Sequence, residues 1–183
     1  MRILIASSKG GVGKSTTAHL LTHALREAGN SVSVEDKDPQ QTLSSALEDK
    51  GGTKGNGKGS QFTIIDVPPR HEHLEGEIGN ASVTLVPLSP SIPDVWATKD
   101  WLATMGTPKG KTFLLWNKYR PGAPLMGEVE MERLREQIGL PALKSRLTLR
   151  TSYDGRLFLD GWKALNGPAR TEALTLALEV AGS

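Results

Sequence analysis

The stretch Ile3-Leu4-Ile5-Ala6 runs almost directly into Lys9-Gly10-Gly11-Val12-Gly13-Lys14-Ser15-Thr16, and this junction restricts the fold more than any other part of the chain. The apolar run reads as a buried strand, the glycines as a turn, and Lys14 to Ala28 as an amphipathic helix. A strand that turns through glycines into a helix aims several backbone N–H groups at one place, where the positive end of the helix dipole adds to them. Phosphate is the natural occupant. Lys14 is placed to reach the outer phosphates of a nucleotide and the Ser15 hydroxyl to ligate Mg²⁺. The run departs from G-x-x-x-x-G-K-[ST] at its first position, which holds Ser8, and it carries a second lysine, Lys9, before the inner glycines.

Short apolar runs alternate with helical patterns along the rest of the chain. Ile3–Ser7, Ser31–Glu35, Phe62–Ile65, Val83–Pro87 and Thr112–Trp116 read as strands, and Lys14–Ala28, Gln40–Glu48, Asp94–Met105 and Gly127–Ile138 as helices. Alternation of this kind predicts an α/β fold with a doubly wound, mostly parallel sheet covered by helices on both faces. Such sheets bind ligands beyond the C-terminal ends of their strands, which is where the glycine loop falls. At 183 residues and 37% hydrophobic content, a single domain spanning 1–183 is expected. With no cysteine, disulfides, iron–sulfur ligation and thiolate metal sites are excluded. A net charge of +2 does not by itself announce a nucleic-acid partner.

Two further segments carry carboxylates at strand ends. In Asp36-Lys37-Asp38-Pro39-Gln40 the proline breaks the strand, so that Asp36 and Asp38 can both face a nucleotide; the plainer alternative is a polar turn in which Asp38 caps the next helix. The run Ile64-Ile65-Asp66-Val67-Pro68-Pro69 closes on a carboxylate that can hold Mg²⁺ through water. The run Leu114-Leu115-Trp116-Asn117 ends on an amide able to offer both a donor and an acceptor to adenine, although asparagine is also common where strands turn.

The early lysine, the D-x-D-P-Q segment and the D-x-P-P strand end together resemble the ParA/MinD superfamily of ATPases, the P-loop NTPases with a deviant Walker A loop. The resemblance covers most of the chain and is strongest from Arg2 to Pro69. It implies ATP and Mg²⁺ as cofactors and an ATP-sandwich homodimer in which Lys9 reaches the partner's nucleotide. It implies roles for Lys14 at the phosphates, Asp38 at the attacking water, Asp36 in support of the Mg²⁺ shell, Asp66 as the Walker B-like carboxylate and Asn117 at the adenine edge. The ParA branch further implies slow ATP hydrolysis stimulated by a small adaptor protein, ParB-like or specific to a cargo. It also implies nonspecific DNA binding in the ATP state, hence a cytoplasmic, nucleoid-associated protein that segregates plasmid or chromosomal DNA or positions a protein cargo. The lack of cysteine removes the iron–sulfur branches of the superfamily. Two alternatives stand beside this reading: an ATP-dependent small-molecule ligase or kinase of the same fold, similar to dethiobiotin synthetase, and a nucleotide-dependent scaffold without hydrolysis.

The remaining signals are weaker. Lys50 to Ser60 is glycine-dense and reads as a flexible surface loop, shorter than in relatives, with Lys50, Lys54 and Lys58 as candidate contacts to an anionic partner. Arg146, Arg150, Arg156 and Lys163 are candidates for phosphate contacts with DNA. The C-terminal pattern from Pro168 to Ser183 is helical and lacks the basic residues of a membrane-surface helix, so no membrane partner is expected. His19 with His23, and His71 with His73, have no third and fourth ligands nearby that zinc would want. Trp96, Trp101, Trp116 and Trp162 lie in apolar neighbourhoods and are expected in the core.

Overall fold

The computed structural model describes residues 1–48, 59–69, 74–105, 110–124, 127–153 and 155–183. Its strands are β1 (Arg2–Ile5), β2 (Val32–Asp36), β3 (Phe62–Asp66), β4 (Val83–Leu88), β5 (Lys111–Tyr119) and β6 (Ala142–Thr148). The helices are α1 (Lys14–Glu27), α2 (Thr42–Glu48), α3 (Leu74–Asn80), α4 (Ile92–Thr104), α5 (Glu128–Ile138), α6 (Gly155–Asp160) and α7 (Gly167–Ala181). The strands form a six-stranded sheet in the order β2-β3-β1-β4-β5-β6. Every pair in it is parallel, as the alternation of apolar runs and helices predicts. The chain winds to one side of β1 through β2 and β3, then crosses to the other side at β4. That crossing is the switch point where a doubly wound sheet opens a crevice at its strand ends.

Side chains of successive strand residues point to opposite faces, and the two faces carry separate cores. Ile3, Ile5, Ile64, Val83, Leu85, Leu143 and Leu147 pack with α1, α2, α6 and α7. Leu4, Ala6, Ile65 and Val67 pack with α3 and the end of α4, while Leu88, Leu114 and Trp116 pack with Val95 of α4 and Met131, Leu134 and Ile138 of α5. The tryptophans divide. Trp116 is buried and Trp101 and Trp162 pack partly against the cores, but Trp96 is 59% exposed, contrary to the expectation of a core position. The helical period explains it: α4 turns Asp94, Val95 and Thr98 inward, and Trp96 follows Val95 by 100° around the axis.

Three elements fall outside the strand and helix expectations: α3, α6 and β6. The last is one of the sheet's two outer strands, β2 being the other. Leu114 pairs with Ala142 and Trp116 with Arg146, so two steps along β5 answer four along β6. This irregularity frees backbone amides. Those of Lys144 and Ser145 both donate to the Glu179 carboxylate of α7, at 2.7 and 2.8 Å. Two turns earlier on the same face, Glu172 accepts from the Thr148 amide at 3.1 Å, from the Tyr153 hydroxyl at 2.8 Å and from Arg150. Helix α7 thus lies along the sheet margin and closes it with carboxylates. Arg146 is likewise engaged, bidentate to Glu128 at 2.8 and 2.7 Å. Arg146 and Arg150 therefore each pair with a carboxylate within the molecule.

The other histidine expectation falls in part on His71 and His73, which lie outside the described residues, as do Lys50, Lys54 and Lys58. His19 and His23 meet each other, Nε2 to Nε2 at 3.0 Å, between Phe158 and Trp162. Burial, together with the charge of Arg26, holds His23 at about 4; burial, His23 and Arg26 hold His19 at about 3. Both folded-state values lie below the unfolded 6.5. Above that pH neither state carries the protons and the pair costs nothing; as pH falls below 6.5 the unfolded chain takes up protons that the folded one refuses. Stability should fall by on the order of 5 kcal/mol between pH 7.5 and 4.5. Thermal unfolding at those two pH values checks this, and the drop should shrink in His19→Leu/His23→Leu; an equal drop in the double variant removes the pair as its cause.

Candidate nucleotide-phosphate site

The register of the sheet assembles the site. Ile5, the last residue of β1, lies beside Asp66, the last of β3, and Asp66 lies beside Asp36, the last of β2. Residues separated by up to 61 positions, from Ile5 to Asp66, therefore end on one line, with the glycine loop rising from its middle. The loop leads into α1 through Gly11 at φ 73° and Gly13 at φ 92°, a left-handed conformation that glycine adopts at no steric cost. Gly13 is the N-cap of α1 and carries no side chain to compete for the first free N–H groups of the helix. A groove of about 650 Å³ opens over them. Gly10, Gly11, Gly13, Lys14, Ser15 and Thr16 form its floor, and Asp38, Gln40, Pro68, Pro69 and Lys118 form its walls. Val12 is buried beneath the loop.

Charge in the groove is not balanced by the protein alone. The Lys14 ammonium folds back onto the Lys9 carbonyl at 3.1 Å, and burial lowers its pKa against the opposing pull of Asp66 and Asp38. Asp66 is 1% exposed, and neither carboxylate oxygen has a hydrogen-bond partner of good geometry. Burial pushes its pKa up to about 7, the nearby Ser15 hydroxyl and Lys14 acting against that rise and Asp36 and Asp38 adding to it. A buried, orphaned carboxylate beside a hydroxyl is a site for a hydrated hard cation, and Mg²⁺ fits it through Asp66 and Ser15.

The other carboxylates have separate employments. Asp38 stands on the groove wall with one oxygen accepting from the Gln40 amide at 3.0 Å. Asp36 does not face the groove's open space: its two oxygens accept from the amides of Asp38 at 3.1 Å and Ser44 at 2.9 Å. The capping role weighed for Asp38 is thus filled by Asp36, whose carboxylate is held at the start of α2. Asn117 is also placed differently from the adenine-binding expectation. It is buried, its Nδ2 donates to the Val12 carbonyl at 2.8 Å, and its Oδ1 accepts from the Lys118 amide at 2.7 Å. It braces the glycine loop from below and, with Gly13, Thr16, Lys118, Thr148 and Tyr153, lines a small adjoining pocket. Lys118, next to it, holds φ 55° and reaches the groove, a role that nothing in its sequence neighbourhood announces.

Lys9 is the exception among the loop residues. It lies outside the groove lining, its side chain is 52% exposed, and its ammonium pairs with Asp94 at the start of α4. Of the candidate DNA contacts, Arg156 and Lys163 line a separate groove with Asp160 and Trp162. Among the described residues no helix is long and apolar enough to cross a membrane, and no cluster of three or more His, Cys, Asp and Glu side chains is arranged to hold a metal.

Residues 3–154 match the family model described as the CobQ/CobB/MinD/ParA nucleotide binding domain. No curated protein matches the chain in sequence. Among solved structures, the septum site-determining protein MinD of Pyrococcus horikoshii, complexed with Mg-ADP, superposes with a TM-score of 0.75 at 18% identity, over 98% of this chain and 95% of the other. A plasmid partition protein of Borrelia burgdorferi bound to AMPPNP gives 0.69 at 15% identity, over 99% and 98%. The ParA of pNOB8 bound to nonspecific DNA gives 0.71 at 14% identity, over 100% and 99%. At these identities the likeness is one of fold.

Proposed function

Because the chain belongs to the CobQ/CobB/MinD/ParA nucleotide-binding family, a family of nucleotide-binding ATPases, we propose that it is a ParA-like partition ATPase that dimerises on ATP, binds nonspecific DNA as a dimer, and hydrolyses ATP slowly until an adaptor protein stimulates it. The observation that carries the reading is the placement of Lys9: a cation on the phosphate loop that does not line its own groove and stands half exposed beside it. A lysine so placed serves a phosphate held by another copy better than one held by its own.

In this reading the loop amides from Gly10 to Thr16 and the Lys14 ammonium hold the β- and γ-phosphates. Mg²⁺, held by Ser15 and through water by Asp66, would neutralise phosphate charge. Asp38, also in the groove lining, orients a water in line with the γ-phosphorus; the new O–P bond forms as the bond to the β-phosphate oxygen breaks, ADP leaves with that oxygen, the water's proton passes to the phosphate released, and the partner's Lys9 meets the charge on the transferred phosphoryl oxygens. Loss of that cross-subunit charge is what would couple hydrolysis to dissociation of the dimer and release from DNA. The relative that carries nonspecific DNA supports the DNA partner proposed here, and those with AMPPNP and Mg-ADP support the nucleotide and metal. The cargo is proposed as a plasmid or chromosomal locus, or a protein assembly positioned by the same cycle.

Retention on nonspecific double-stranded DNA, measured at 50 and 200 mM salt with no nucleotide, ADP or ATP, tests the reading. Retention should require ATP, fall by at least tenfold at the higher salt, and vanish in Lys9→Ala and Lys14→Ala. ATP binding with retention unchanged by nucleotide would favour the small-molecule ligase or scaffold alternatives.

A further inference from the structure

We infer that Asp94 is a latch on Lys9, holding the lysine on its own protomer until a nucleotide triphosphate in a second copy draws it away. The inference rests on the reading above, in which Lys9 acts across a dimer. Three observations carry it. First, the two partners of the pair are unequal: the Asp94 side chain is 9% exposed and that of Lys9 is 52% exposed. Lys9 can leave for water or for a phosphate at little cost, whereas Asp94, deprived of it, remains a largely desolvated carboxylate. The pair therefore favours the closed arrangement until something offers Lys9 more negative charge than one carboxylate does.

Second, Asp94 is preset. It is the third residue of α4, its amide donates to the Ser91 hydroxyl that caps the helix at 3.3 Å, and Pro93 fixes the backbone just before it. Its carboxylate is thus presented to the loop by a formed helix terminus and does not follow Lys9 outward. Third, the latch is tied to the phosphate groove. The Lys9 carbonyl accepts from the Lys14 ammonium, and the Lys9 amide donates to the Ser7 hydroxyl at 3.3 Å. Phosphates entering the groove compete for Lys14, and when its ammonium turns to them the backbone that carries Lys9 loses one of its two anchors. Nucleotide arrival thus loosens the backbone behind Lys9 while Asp94 still holds its ammonium.

Each dimer must open two latches, so whatever one latch costs enters the dimer dissociation constant twice, as a square. A solvent-accessible pair of this kind is worth about fivefold per protomer, hence roughly 25-fold in dimer affinity. The experiment is sedimentation equilibrium of the full chain with Mg²⁺ and either ADP or AMPPNP, comparing wild type, Asp94→Asn, Asp94→Ser and Asp94→Glu. Both charge-removing variants should tighten the AMPPNP dimer by about 25-fold and bring a measurable dimer into the ADP state, while Asp94→Glu stays within a few-fold of wild type. Thermal unfolding identifies a variant that has merely failed to fold, and the second charge-removing variant then decides. If wild type dimerises with AMPPNP and neither Asn nor Ser tightens it, the latch is overturned and the dimer reading stands. If no form, wild type included, dimerises with AMPPNP, the dimer reading fails and the latch fails with it.

Discussion

Gly13→Ala will cost the protein its nucleotide affinity and a large part of its stability. A Cβ at this position would stand 2.1 Å from Asn117 Nδ2, in a backbone already at φ 92°. The obstructing group is no flexible tip. Asn117 is buried and both ends of its amide are engaged, one with the Val12 carbonyl and one with the Lys118 amide. Moving it orphans both backbone groups at about 1–3 kcal/mol for a buried unmade hydrogen bond, and a non-glycine residue held left-handed adds about 1 kcal/mol more. A total of about 3–7 kcal/mol is a large share of the stability of an ordinary domain. The loop amides would shift with it, and ATP-analogue affinity should fall by about a hundredfold or more. Gly11 supplies the control: its φ is 73°, but a Cβ there meets nothing within 4 Å, so Gly11→Ala should lose only about 1 kcal/mol. Urea unfolding of the two variants separates the cases. Equal losses would mean that Asn117 yields freely and is no brace.

Asp38→Ala should lower ATP turnover by about two to three orders of magnitude while leaving Mg²⁺-nucleotide affinity within a few-fold, the pattern expected when a group acts mainly in the transition state. Asp36→Ala is the contrasting variant. Its carboxylate accepts two backbone amides, so its removal should be felt in unfolding, by about 1–2 kcal/mol, with turnover reduced only as far as α2 and Asp38 are displaced. Single-turnover hydrolysis alongside nucleotide titration distinguishes them. If Asp36→Ala lost turnover as deeply as Asp38→Ala with stability intact, the assignment of chemistry to Asp38 alone would be wrong.

The legible part of this molecule was the part governed by local pattern. The glycine loop, the helix it opens and the apolar runs of β1 to β5 announce themselves because fully buried parallel strands are continuous in hydrophobicity. Strand β6 does not, since an outer strand with Lys144 and Arg146 interleaved among Leu143, Ser145 and Leu147 carries no continuous apolar signal. The short helices α3 and α6, 7 and 6 residues long, offer too few turns for a period to emerge. At the site, residue types were readable but their partners were not. Asn117 reaches back 105 positions to Val12, and Asp94 reaches 85 to Lys9. Only the register of the sheet and the start of α4 bring these together, and neither distance leaves a mark in the local sequence. The same limit explains Asp36 and Asp38: a two-carboxylate turn was visible, but which one turns inward depends on where the Ser44 amide lies.

The carboxylates of Glu172 and Glu179 along β6 bear on how copies of this chain can associate. An outer strand with free amides invites another chain to add itself to the sheet, and repetition of that step produces fibres. Here the amides of Lys144, Ser145 and Thr148 are already given to side chains of α7. A newcomer would have to displace two anions and leave them unpaired, so polymerisation through this margin is disfavoured.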